Sequence, residues 1–213
     1  AEIKTLQEQF PNDAPLYFVK GTMHRLDGEY EASLKAWEKL TRLDPAARVV
    51  SSYNRARIFM YQGNYEKAIE ELDVGAKIEP NHPLVKIFRS FVLHYQGKTD
   101  EAISLIREVL EKNTKMDGIR PILGVFLASQ GKTEEALAQL SEETKALAKS
   151  DHDMAYWLAQ AYSILQQKDD AFKWLERAIK LGNENKQWFQ KDKCLEFIRQ
   201  DEHFAELMQK IEH

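Results

Sequence analysis

The heptad Gly63-Asn64-Tyr65-Glu66-Lys67-Ala68-Ile69 recurs along the chain at a nearly constant interval. Its relatives are Gly28-Glu29-Tyr30-Glu31-Ala32-Ser33-Leu34, Gly97-Lys98-Thr99-Asp100-Glu101-Ala102-Ile103 and Gly131-Lys132-Thr133-Glu134-Glu135-Ala136-Leu137, with a glycine-free copy at Gln166-Gln167-Lys168-Asp169-Asp170-Ala171-Phe172. The copies step by 35, 34, 34 and 35 residues. A fixed period of this length is the signature of a stacked array, because one such unit cannot bury its apolar face alone.

Backbone chemistry explains the repeated residues. Glycine ends a helix in the left-handed conformation, and the acidic residues after it suit the N-terminus of the next helix. A small residue (Ser33, Ala68, Ala102, Ala136, Ala171) lets two helices approach. A large apolar residue follows four later at Trp37, Leu72, Ile106, Leu140 and Leu175, on the same helical face. Pro11, Pro45 and Pro80, spaced 34 and 35 apart, stop the second helix of each pair. The small residue seven before each turn is Gly21, Ala56, Ser90, Gly124 and Ala159.

These residues resemble the tetratricopeptide repeat family, over roughly residues 14 to 182. The resemblance implies an all-α, right-handed superhelical α-solenoid of helix–turn–helix repeats. Five full repeats are expected at about 14–47, 48–81, 82–115, 116–150 and 151–182, within an array over 12–182. Their helix pairs are expected at 15–27 with 30–43, 49–62 with 65–78, 83–96 with 99–113, 118–130 with 133–148, and 152–165 with 168–181. Pro121 makes the fourth first-helix start late. Residues 1–11 read as the second helix of a truncated preceding repeat, or an N-terminal cap, so a longer parent protein is expected. Residues 183–213 read as C-terminal capping helices, with Asp201 as the N-cap of the last. That tail loosely resembles the shortened ends of such arrays in bacterial multidomain proteins, including some signalling kinases and cyclases.

In the family, residues ten, six and three before each turn face a concave groove. Here the groove set is Phe18, Thr22 and Arg25; Tyr53, Arg57 and Met60; Ile87, Phe91 and His94; Pro121, Val125 and Ala128; Tyr156, Gln160 and Ser163. Its members Phe18, Tyr53, Arg57, Met60, Ile87, Phe91, His94, Val125, Tyr156 and Gln160 are the partner-binding candidates. Their aromatic and aliphatic character suits an extended peptide or a partner helix. The alternative is that neighbouring repeats or the C-terminal tail cover them. Lys20, Arg55 and Arg89 stand where the family usually has Leu, eight before the turn. Such cations should pair internally with carboxylates, snorkel to solvent, or meet an acidic ligand. The family's carboxylate clamp for chaperone tails is not matched: Asn54 fits it, but Phe18, Thr22, Leu84 and Phe88 do not.

The function implied is a non-catalytic protein–protein interaction scaffold. Its rivals are self-association, as a homodimer pairing residues such as Trp174 and Phe172, and a regulatory or sensor region of a larger signalling protein. A net charge of −4 argues against nucleic-acid and anionic-membrane binding. No apolar run reaches bilayer length, and one cysteine, Cys194, suits a reducing, cytoplasmic compartment. No phosphate-cradling glycine loop, CxxC pair or HExxH helix is present, so no cofactor, metal or catalytic residue is assigned. Asp151-His152-Asp153 reads as a helix cap, and Cys194 as a packing residue.

Overall fold

The structure, a computed structural model, describes residues 10–211. Of the N-terminal helix expected over residues 1–11, residues 1–9 lie outside those described, and Phe10 and Pro11 are not helical. Among the described residues every regular element is helical. The chain divides into two compact units, Ala1–Val92 and Leu93–His213.

In the first unit, α1 (Ala14–Leu26) pairs with α2 (Tyr30–Leu43), and α3 (Arg48–Tyr61) with α4 (Tyr65–Ile78). Helix α5 (Pro83–Tyr95) crosses the boundary between the units. The turn at Gly63 shows how the heptad works. Gly63 has φ +77°, its N–H donates to Met60 O at 2.9 Å, and the Asn64 N–H donates to Phe59 O at 2.8 Å. That pair of bonds satisfies carbonyls left over at the end of α3. The Asn64 side chain then accepts from Lys67 N at 3.1 Å and caps α4. Two residues thus end one helix and start the next.

Packing explains the small residues. Trp37 is fully buried, and a Cβ added at Gly21 would stand 2.6 Å from its Cε2 atom. Ser33 donates to the Gly21 carbonyl at 2.6 Å in the same buried contact. Around α4 two cations are paired with carboxylates. Arg55 of α3 donates from Nε (3.1 Å) and Nη2 (2.7 Å) to Glu71, and Arg89 of α5 donates to Asp73 at 2.5 Å.

The second unit holds α6 (Thr99–Lys112), α7 (Arg120–Ser129), α8 (Thr133–Gln139), α9 (Glu142–Ala148), α10 (His152–Ile164) and α11 (Lys168–Lys180). Three short helices close it: α12 (Lys186–Phe189), α13 (Glu196–Arg199) and α14 (Glu202–Lys210). Helix α7 does start late, with Pro121 in its first turn. The single helix expected over 133–148 is instead broken. Leu140 leaves helical geometry, and Ser141 turns extended (ψ 166°) and caps a new helix, accepting from Thr144 N at 3.3 Å. A serine followed by Glu142 and Glu143 starts a helix better than it continues one.

The glycine-free fifth turn keeps the same bonds. Gln166 N donates to Ser163 O at 3.0 Å and Gln167 N to Tyr162 O at 2.9 Å, with Gln166 held at φ 59°. Asp201 caps α14 by accepting from His203 N at 3.0 Å, and its carboxylate also meets Lys168 of α11.

Candidate functional site

The expected groove residues lie on the first helix of each pair, and most are enclosed. Arg57, Met60, Ile87, Phe91, His94, Val125, Tyr156 and Gln160 are buried, Tyr53 is half-buried, and Phe18 is 45% exposed. In the first unit Phe18 sets its ring edge-on against Trp37 at 5.4 Å. Tyr53 stacks between His82 (5.7 Å) and Phe88 (5.6 Å), and burial pushes its hydroxyl up to about 12. The Arg57 guanidinium lies over Phe88 at 5.3 Å and donates from Nε to the Tyr61 hydroxyl at 2.5 Å. Arg55 and Arg89 are tied to carboxylates on α4, so the pairing reading of the unusual cations describes both.

In the second unit the C-terminal segment lies against His94, Tyr156 and Gln160. Asp192, with no exposed surface, accepts from the Tyr95 hydroxyl at 2.8 Å, the Tyr156 hydroxyl at 2.5 Å and Gln160 Nε2 at 2.6 Å. Its Oδ1 also accepts from Cys194 N at 2.9 Å. Phe189 stacks on Tyr156 at 5.1 Å, and Trp188 meets Tyr95 edge-on at 5.2 Å. Lys193 donates from Nζ to the His94 carbonyl at 3.1 Å. A segment of the chain's own C-terminal region thus takes up the hydrogen bonds that Tyr156 and Gln160 offer.

Several buried groups in this network are shifted. Burial, with help from Lys193, lowers His94 to about 3, so its imidazole is neutral. Burial and then the Asp192 charge push the Tyr95 hydroxyl and the Cys194 thiol well up. Cys194 Sγ lies 3.8 Å from His94 Nε2, but both shifts run opposite to those of a thiolate–imidazolium pair. The Asp151 carboxylate accepts from Asp153 N and Met154 N, both at 2.9 Å, which is a capping role. Phe172 and Trp174, the expected self-pairing residues, are 6% and 3% exposed and so offer no surface for another copy.

One group among the described residues could hold a metal ion. His24, Asp27 and Glu29, around the first turn, bring one ligand atom each to within 4.8 Å of one another. All three are at least partly exposed, and the His24 imidazole already contacts the Glu29 carboxylate. No described helix is long and apolar enough to cross a membrane.

Successive helix pairs joined by left-handed turns at a fixed period define an α-helical repeat protein. A tetratricopeptide repeat profile matches residues 27–83 and 127–186, more than half of the 213 residues. The chain belongs to the tetratricopeptide repeat family. It is similar to the photosystem I assembly protein Ycf3 of Acaryochloris marina, at 27% identity over 47% of this chain and 62% of that protein. The Ycf3 of Rippkaea orientalis is 29% identical over 42% of this chain and 53% of that protein. The chain therefore spans about half to three fifths of the length of these curated relatives. A tetratricopeptide repeat protein from Parabacteroides merdae shares the fold, with a TM-score of 0.64 at 13% identity, over 98% of this chain and 75% of that one.

Proposed function

We propose that this chain is a non-catalytic scaffold that holds a partner polypeptide on the exposed apolar surface of α1, in its N-terminal unit. Family membership supports the scaffold role. The observation that carries the location is accessibility. Phe18, Val19 and Met23 are 45%, 44% and 44% exposed on one helix, α1, whereas Tyr156 and Gln160 are sealed under the chain's own tail. Large apolar side chains left open on one helix suit a segment that buries them. Tyr53 occupies the register of Phe18 in the next repeat and is half-buried. The two similar assembly proteins support a role in which one polypeptide is held for another during the building of a complex.

Photo-crosslinking from position 19, against position 147 in the second unit, tests the location. Leu147 is an exposed apolar residue too, at 49%. A partner trapped only from position 19, whose binding weakens with Phe18→Glu and Met23→Glu together, is the expected result. Equal trapping at both positions, or undiminished binding by the double variant, would overturn it. Circular dichroism of the variant separates lost binding from lost folding.

A further inference from the structure

A cleft of about 290 Å³ opens in the first unit between the end of α2, the start of α3 and the middle of α4. Its walls carry Arg42, Arg48 and Arg55 against Glu38 and Glu71, an excess of one positive charge. The chain as a whole carries a net charge of −4, so the sign is local.

The three arginines are not equally engaged. Arg55 spends Nε and Nη2 on Glu71, and its Nη1 makes no bond among the described residues. Arg42 reaches Glu38 at 3.4 Å with both side chains largely exposed, a pair that stabilises little. Arg48 has neither an ion pair nor a side-chain hydrogen bond among the described residues. It is also the first residue of α3. The positive end of the helix dipole makes that a poor place for a cation unless an anion sits beside it.

An independent observation concerns Ser51, another residue of the wall. It is 2% exposed, and its hydroxyl has no hydrogen-bond partner among the described residues. The other wall hydroxyls are spoken for: Thr41 donates to Trp37 O at 3.1 Å and Ser52 to Val49 O at 2.7 Å. A buried hydroxyl without a partner is unfavourable and calls for an acceptor.

We propose that this cleft binds a phosphate-type oxyanion. The guanidinium of Arg48, the spare edge of Arg55 and the Ser51 hydroxyl supply donors to its oxygens. Arginine forks match phosphate geometry, and a hydroxyl donor completes the set. The cleft has room for roughly ten water volumes, more than the bare anion fills, so a phosphate monoester fits as well as inorganic phosphate. This site lies on residues separate from the α1 face assigned to the partner polypeptide, and its test does not depend on that assignment.

The full chain, labelled with ¹⁵N, is titrated with inorganic phosphate and separately with phosphoserine, each against chloride at matched ionic strength. The expected result is saturable shifts confined to the amides of residues 48–52 and the arginine Nε–H groups of 42, 48 and 55. Arg48→Glu should weaken binding by roughly tenfold or more, as expected for a charge-assisted hydrogen bond. Ser51→Ala should weaken it by less, and the exposed control Lys132→Glu, with the same charge change, should leave it intact. Tighter binding of phosphoserine would assign the site to a monoester; tighter inorganic phosphate would assign it to the free ion. Shifts that never saturate, or a loss no larger in Arg48→Glu than in Lys132→Glu, overturn the proposal.

Discussion

Asp192→Ala is the perturbation that tests how the C-terminal segment is held. The carboxylate accepts three side-chain hydrogen bonds and one from the backbone, all inside the protein. Hydrogen bonds to a charged acceptor contribute about 1.5–3 kcal/mol each, but donors sharing one acceptor do not add. A neutral buried donor left without its acceptor costs about 1–3 kcal/mol, so with three side-chain donors affected and partial compensation between them the expected loss is about 3–5 kcal/mol. Tyr95, Tyr156 and Gln160 would each lose an acceptor, while Gln160 Nε2 keeps the Tyr95 hydroxyl at 3.2 Å and that hydroxyl keeps Cys194 Sγ at 3.7 Å. Since ~1.4 kcal/mol is tenfold in an equilibrium, local opening of the segment should rise by about two to four orders of magnitude. Hydrogen exchange of the amides from Lys186 to Arg199 in the full chain reads that opening directly. Asp192→Asn keeps the volume and one acceptor oxygen. The amide of Gln160, whose Oε1 is buried without a partner among the described residues, can turn to accept from the new N–H group. The asparagine variant should therefore lose only about 1–3 kcal/mol. Unchanged protection of the segment in Asp192→Ala would refute the claim that this carboxylate holds it.

Three further outcomes are expected. Gly21→Ala should destabilise by about 1–3 kcal/mol in chemical denaturation, because the new Cβ meets the rigid Trp37 ring at 2.6 Å. Gly124→Ala, whose nearest contact is the movable Leu140 Cδ2 at 2.8 Å, should cost less; equal losses would contradict this. Gln166→Gly should raise stability by about 1 kcal/mol, because Gln166 sits at φ 59° where the other turns use glycine; a lower melting temperature would count against it. Finally, His94 is lowered to about 3 in the folded chain against 6.5 unfolded. As pH falls below about 6.5 the unfolded chain takes up this proton and the folded one does not. Stability should then drop with acidification by up to ~1.4 kcal/mol per pH unit from this group until pH nears 3. Above 6.5 the group has no effect. His94→Gln should flatten that slope, and an unaltered slope would exclude the mechanism.

The repeat was legible because it rests on local chemistry: Gly63 and Asn64 end and begin helices through bonds to residues no more than five positions away. The break at Ser141 carried a local signal as well, a serine followed by two glutamates, but the long run of the second-helix pattern masked it. The fate of the first-helix face was less accessible. Spacing places Tyr156 and Gln160 on that face, yet their acceptor is Asp192, beyond the periodic region and in a segment without a repeat. Tyr95 and Asp192 are 97 positions apart. Periodicity reports which side of a helix is turned inward; it is silent on whether the chain's own tail or another molecule lies against it.

The carboxylates of α4 bind in two directions: Glu71 holds Arg55 from its own repeat, while Asp73 holds Arg89 from the next. These repeats are consequently not interchangeable parts. Exchanging the third repeat for one bearing the usual leucine at position 89 would strand Asp73, and transplanting the second alone would export an acid without its counter-ion. Moving residues 55, 71, 73 and 89 as a single block keeps both pairs intact when this array is lengthened, shortened or grafted.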